Sequence, residues 1–104
     1  MRIGGFDWDA GNWPKCGKHG VDRAEIEAVL TGAPMILPDP AHSSAEQRFL
    51  AIGRTATGRH VVVAFTLRQR DDIWLVRPIS ARFMHAKEVR HYARQAQEDP
   101  GPDE

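Results

Sequence analysis

The stretch His60-Val61-Val62-Val63-Ala64-Phe65-Thr66-Leu67-Arg68 decides how this chain folds. β-Branched and aromatic residues crowd a run too short for a typical helix, which predicts a strand over 60–68. Successive side chains of a strand point to opposite faces. Val61, Val63, Phe65 and Leu67 therefore share one side, and Val62, Ala64 and Thr66 the other. The first side is a firm core face; the second is smaller and half polar, as in a sheet that helices cover on one side. Candidate strands flank this run across short turns, which makes it the middle of an antiparallel sheet.

Towards the N-terminus, residues 48–53 alternate as a strand and connect through the hairpin Thr55-Ala56-Thr57-Gly58. Met35 to Leu37 is a short apolar piece ended by Pro38-Asp39-Pro40, as expected of an edge strand, with a polar loop over 41–46. Asp22, three residues before Glu25, predicts a capping box with Val21 as its staple. Ile26, Val29 and Leu30 then share a face until Gly32 and Pro34 close a helix over 22–31. Asp9 marks the start of a shorter helix through Trp13 to Lys18; Pro14 suits only its first turn, Gly17 weakens it, and Gly20 stops it. Ile3 to Trp8 reads as a first strand.

In the other direction, residues 69–72 turn the chain into a strand over 73–80, where Pro78 predicts an edge or a bulge. A helical period follows over 85–97, with Val89, Tyr92, Ala93 and Ala96 on one face. The tail, 98–104, is acidic, proline-containing and without apolar anchors, so disorder is expected there. The order predicts an α+β fold in one domain over 1–97: four to five strands, two N-terminal helices and a C-terminal helix.

With 104 residues, 41% hydrophobic and 27% charged, the chain supports a single modest core. One cysteine, Cys16, rules out an internal disulfide and fits a reducing compartment. No apolar run reaches membrane-spanning length and no secretory hydrophobic segment is visible, so a cytoplasmic location is expected. The formal charge of zero is uneven: four acids fall in the last seven residues, leaving a net of +4 over 1–97. A mildly basic body can approach a polyanion, but on charge alone a solvated surface with a random imbalance is the favoured reading.

Three pieces of the chain resemble one family. They are Phe6-Asp7-Trp8-Asp9 with Lys18-His19-Gly20-Val21; Arg48-Phe49-Leu50-Ala51-Ile52-Gly53-Arg54; and Ile79-Ser80-Ala81-Arg82 with Glu88 and Tyr92. In their order and spacing they resemble the BrnT family, the toxin half of a bacterial type II toxin–antitoxin pair, from about residue 6 to residue 93. The resemblance implies a RelE-like fold and a metal-independent ribonuclease, without cofactor, that cuts RNA and stops translation. It also implies a BrnA-like antitoxin with a ribbon-helix-helix end, through which DNA is bound indirectly. Asn12 and Cys16 stand where the family pattern suggests lysine and asparagine.

Metal-free RNA cleavage needs a base for the 2′-hydroxyl proton, an acid for the leaving oxygen and cations for the phosphate charge. His19, beside the cation Lys18 at an expected helix end, is the first candidate for proton transfer; its plain alternative is an interaction with the last helix carbonyls. Arg54 and Arg82 each follow a strand, and those strands end on the same side of the sheet, so two guanidiniums can clamp one phosphate. Otherwise each is an ordinary solvated arginine. Glu88 reads as a carboxylate of the site or, more simply, as the capping partner of the last helix.

Tyr92 reads as core, His42 and His60 carry no signal, and Trp13 beside Pro14 is the tryptophan expected to face a partner. Cys16 and His19 alone do not make a zinc site, nor do His85 and His91, six apart on a helix. A binding module of the same fold that has lost cleavage is the alternative function. A metabolic enzyme ranks last, since no glycine-rich phosphate loop or nucleophile motif is present. The edge strand over 34–40 leaves room for a homodimer.

Overall fold

The computed structural model describes residues 3–42 and 45–98 and places the 60–68 stretch at the centre of a five-stranded sheet. In chain order the elements are β1 (Ile3–Phe6), α1 (Arg23–Thr31), β2 (Met35–Pro38), β3 (Arg48–Arg54), β4 (His60–Arg70), β5 (Ile73–Phe83) and α2 (Ala86–Glu98). Single 3₁₀ turns lie at Lys15–Gly17 and Pro40–His42. The sheet order is β1-β5-β4-β3-β2, so β2 is an edge, as its prolines suggested, and Ile36 on it is about half exposed. Glu98 ends α2; the rest of the tail expected to be disordered lies outside the described residues.

The alternation of β4 sorts the two faces. Val61, Val63 and Phe65 are buried on the side that receives Ile26 and Val29 of α1. Asp22 and Glu25 form the expected capping box, with N–H···O distances of 2.8 and 3.1 Å. Gly53 lets α1 come close: a methyl group there would lie 3.1 Å from Val29 Cγ1. Phe49 and Phe65, opposite each other on β3 and β4, stack with centroids 5.4 Å apart.

Four expectations are corrected. Helices cover both faces: small residues at Val62, Ala64 and Ser80 leave a shallow trough on the second face, and α2 lies over it. The sheet is mixed, because β1 pairs parallel with β5, Ile3 opposite Trp74 and Phe6 opposite Val76. A four-residue strand carries no signal of direction, and its partner lies some seventy residues downstream. Pro78 does mark a bulge: the β4–β5 register slips between the Ala64–Ser80 and Phe65–Pro78 pairs.

The third correction is the first helix. Asp9 does start a turn, its carbonyl accepting from the N–H groups of Asn12 and Trp13 and its carboxylate from Gly11. Pro14 then offers no N–H and Gly17 no propensity, so only the 3₁₀ turn at Lys15–Gly17 forms. Two helices, α1 and α2, are present among the described residues. Trp13 does not reach outwards; it meets Trp8 edge to face at 5.6 Å and packs on the core.

What holds this irregular segment is Asn12, buried at 3% exposure. Its Nδ2 donates to the carbonyls of Asp7 and Pro78, both at 2.9 Å, while Oδ1 accepts from the Asp9 N–H at 2.8 Å. Cys16, whose N–H donates to the Asn12 carbonyl, is buried in the core, and burial pushes its thiol pKa up. We expect Asn12→Ala to lower stability by about 2–4 kcal/mol in urea unfolding, since it strands buried carbonyls. Asn12→Asp, which sets a carboxylate oxygen against them, should cost more; an unchanged urea midpoint in both would refute this role.

Candidate active site

Residues 74–76 of β5 pair with β1, and among the described residues no strand pairs with the outer edge of β5 from Pro78 onwards. The segment tied down by Asn12 lies against that edge and ends in Lys18-His19-Gly20. Gly20, at φ +93°, takes the left-handed turn that sends the chain into α1. His19 thereby reaches a cleft of about 170 Å³ between β5 and α2. Ser80 and Arg82 of β5 and Glu88 and Tyr92 of α2 line it, over a floor of Val62 and Ala64. The strand period explains the selection, since Ala64 faces Ser80 and Val62 faces Arg82 across the β4–β5 ladder.

Arg82 meets Glu88 in a two-pronged ion pair, Nη1 to Oε1 at 2.8 Å and Nη2 to Oε2 at 2.7 Å. Oε1 also accepts the backbone N–H of His85 at 3.0 Å, so Glu88 caps the first turn of α2 as the sequence suggested. The guanidinium first, then this N–H, pull the Glu88 carboxyl from 4.5 down to about 2. Hydrogen bonding to the same carboxylate holds the Arg82 pKa above its ordinary value. Glu88 is therefore an anion at neutral pH and Arg82 a fixed cation.

The remaining sequence candidates fall in different places. Arg54 stands opposite His60 on β3 and β4, at the same end and on the same face as Arg82. It borders a second cavity, of about 490 Å³, with His60, Val89 and Tyr92. Tyr92 borders both cavities. Lys18 is exposed and lines neither. One cleft thus gathers His19, Arg82 and Glu88, an adjoining one holds Arg54, and Lys18 stays outside. Sequence reasoning passed over His60 and treated Tyr92 as core. The signal for His60 was its position across the hairpin from Arg54, two residues flanking one turn.

A small α+β domain with an imidazole and an oriented guanidinium across one cleft has the groups that bind and work on a phosphodiester. Residues 8–88 match the family described as the ribonuclease toxin, BrnT, of type II toxin–antitoxin systems, and the chain belongs to that family. No curated protein matches it. Membership in such a family brings an antitoxin partner with it. Among the described residues no helix is long and apolar enough to cross a membrane.

The lowered Glu88 pKa has a sign. A carboxyl depressed in the folded state stabilises above its unfolded pKa, and that contribution is lost as pH falls from about 4.5 towards about 2. We expect stability, followed by urea midpoint against pH, to fall across that window, and Glu88→Gln to flatten this part of the profile. At pH 7 Glu88→Gln should cost at most about 1 kcal/mol, because both side chains are partly exposed. Glu88→Ala, which also removes the cap, should cost about 1 kcal/mol more.

Proposed function

We propose that the chain is a metal-independent endoribonuclease that uses the substrate's own 2′-hydroxyl as nucleophile. Attack on the adjacent phosphorus forms the P–O2′ bond and expels the 5′-oxygen, leaving a cyclic phosphate and a 5′-hydroxyl. His19 is the proton-transfer group. Arg82 faces the phosphate and stabilises the charge that gathers on its oxygens. Their meeting in one cleft is the observation that carries this reading.

Glu88, named among the catalytic candidates, is better suited to positioning. A carboxyl with a pKa of about 2 has no proton to give near neutrality, and its two bonds aim Arg82. The pair takes up the two terminal nitrogens of the guanidinium end-on, which leaves its Nε side for a phosphate. Arg54 adds a second cation in the adjoining cavity, and Lys18 contributes charge from outside the cleft. The reading extends to a RelE-like architecture, supported by one sheet between helices, and to action in the cytoplasm on RNA needed for translation. The partner is a BrnA-like antitoxin whose ribbon-helix-helix end carries the pair to DNA.

A second reading has one observation in its favour: Glu88 already occupies part of the Arg82 fork. On that view the chain keeps the fold and the antitoxin contact as a corepressing module and no longer cleaves. Purified protein free of antitoxin separates the two. We expect the wild type to degrade mixed RNA in the presence of chelator, His19→Ala to slow this by about 10²- to 10⁴-fold, and the double variant with Arg82→Ala to abolish it. Lys18→Ala should change the rate little. Equal amounts of intact RNA with wild type and double variant would leave only the module.

A further inference from the structure

Most arginines on the α2-covered face are already committed. Arg68 pairs with Glu46, Arg70 with Asp7, Arg77 with Asp7 and Asp9, and Arg82 with Glu88. Arg54 and His60 differ: among the described residues neither side chain has a hydrogen-bond or ion-pair partner. They face each other directly across β3 and β4. Residues so placed hold their Cβ atoms about 4.5–5.5 Å apart, a spacing at which a guanidinium and an imidazole can bracket one phosphate.

The cavity they border is otherwise apolar, walled by Pro34, Met35, Ile52 and Val89, with the Tyr92 ring at its boundary with the cleft. Its volume of about 490 Å³ lies within the range of small-ligand sites, about 300–1,000 Å³. A flat group with two apolar faces, carried on an anionic linker and continuous with whatever fills the cleft, suits this combination. We infer that this cavity is the subsite for the nucleotide next to the scissile phosphate, Arg54 and His60 holding its phosphate and the Tyr92 ring with the aliphatic wall its base. The inference rests on the ribonuclease reading for the identity of the polymer and extends it to a second nucleotide. Stacking on an aromatic ring tolerates any base, so the subsite fixes the path of the strand more than its sequence.

An RNA hexanucleotide methylated at every 2′-oxygen binds without being cut, which separates binding from chemistry. Titrated into isotopically labelled wild type, it should shift the amides of Gly53, Arg54, Val89 and Ala93 as well as those of Ser80 and Arg82. Arg54→Ala should weaken its binding about tenfold and lower the salt slope by about one, in line with the loss of a single phosphate contact. His60→Ala should weaken it less, and a methylated mononucleotide should bind all three proteins alike. Arg54 is exposed and unpartnered, so a matching circular dichroism spectrum is expected of its variant. Wild type that binds the hexanucleotide in this way yet leaves unmethylated RNA intact would support the subsite and end the nuclease reading. Equal affinity of wild type and Arg54→Ala, with shifts confined to the cleft, would overturn the subsite alone. No binding by the wild type would overturn it too and leave the cavity to a protein partner.

Discussion

The side-chain amide of Asn12, clamped between the carbonyls of Asp7 and Pro78, keeps the rest of this molecule in register. β5 has one outer edge and two neighbours to serve with it: β1 takes the first part, and the segment after Asp9 takes the part beyond Pro78. Pro78 has no N–H to offer there, only a carbonyl, and Asn12 supplies the donor that the carbonyl requires. Arg77 reinforces the junction with a bidentate grip on Asp9, which holds that carboxyl below its usual range. Asp9 is largely exposed, so the ion pair is screened by water while the amide is not. The buried hydrogen bonds therefore decide where the segment lies, and the segment decides where His19 lies.

On the other face the balance of forces is reversed. α2 is polar along most of its length; Glu88, Val89 and Tyr92 are the half-buried residues of its first two turns. The Arg82–Glu88 pair and the cap on His85 therefore join Val89 and Tyr92 in docking this helix. Such a helix belongs to the low-stability end of a fold, where elements that admit substrates or partners are commonly found. The two halves of the cleft thus differ in kind. His19 comes from a segment fastened by buried bonds, and Glu88 and Tyr92 from a helix held by half-buried side chains and a partly exposed ion pair.

How much of this could be read from the sequence follows from the range of each interaction. The β4 alternation, the Asp22–Glu25 box and the Pro78 bulge are local chemistry, and all three are present in the structure as expected. The direction of β1 is not local, because nothing in Ile3-Gly4-Gly5-Phe6 records a partner at residues 74–76. The first helix failed for an instructive reason. Asp9 supplies the bonds of a helix start, and a start says nothing of how far the helix runs once a proline and a glycine follow. Asn12 stood out only as a departure from the family pattern, and its clamp left no trace, since a side chain that satisfies carbonyls generates no periodicity. At the site, strand ends put Arg54 and Arg82 at one rim, but Glu88 ties the second guanidinium to α2 and the two arginines border separate cavities.

The modest positive charge of the folded part also acquires a distribution. At one end of the α2-covered face Asp7, Asp9 and Glu46 neutralise Arg70, Arg77 and Arg68 pair by pair. At the other end His19, Arg54, His60 and Arg82 converge around Tyr92, with Glu88 as the acid set among them. A random scatter of charge gives no reason for Arg68, Arg70 and Arg77 to be paired at one end while Arg54 and His60 at the other have no side-chain partner among the described residues. A polyanion laid across the face does, because Arg54 and His60 stand ready to replace its counterions beside the oriented Arg82. The hairpin that sets Arg54 opposite His60 and the bulge that shifts Arg82 along β5 are features of backbone register. The polarity of the face is therefore built into the sheet itself.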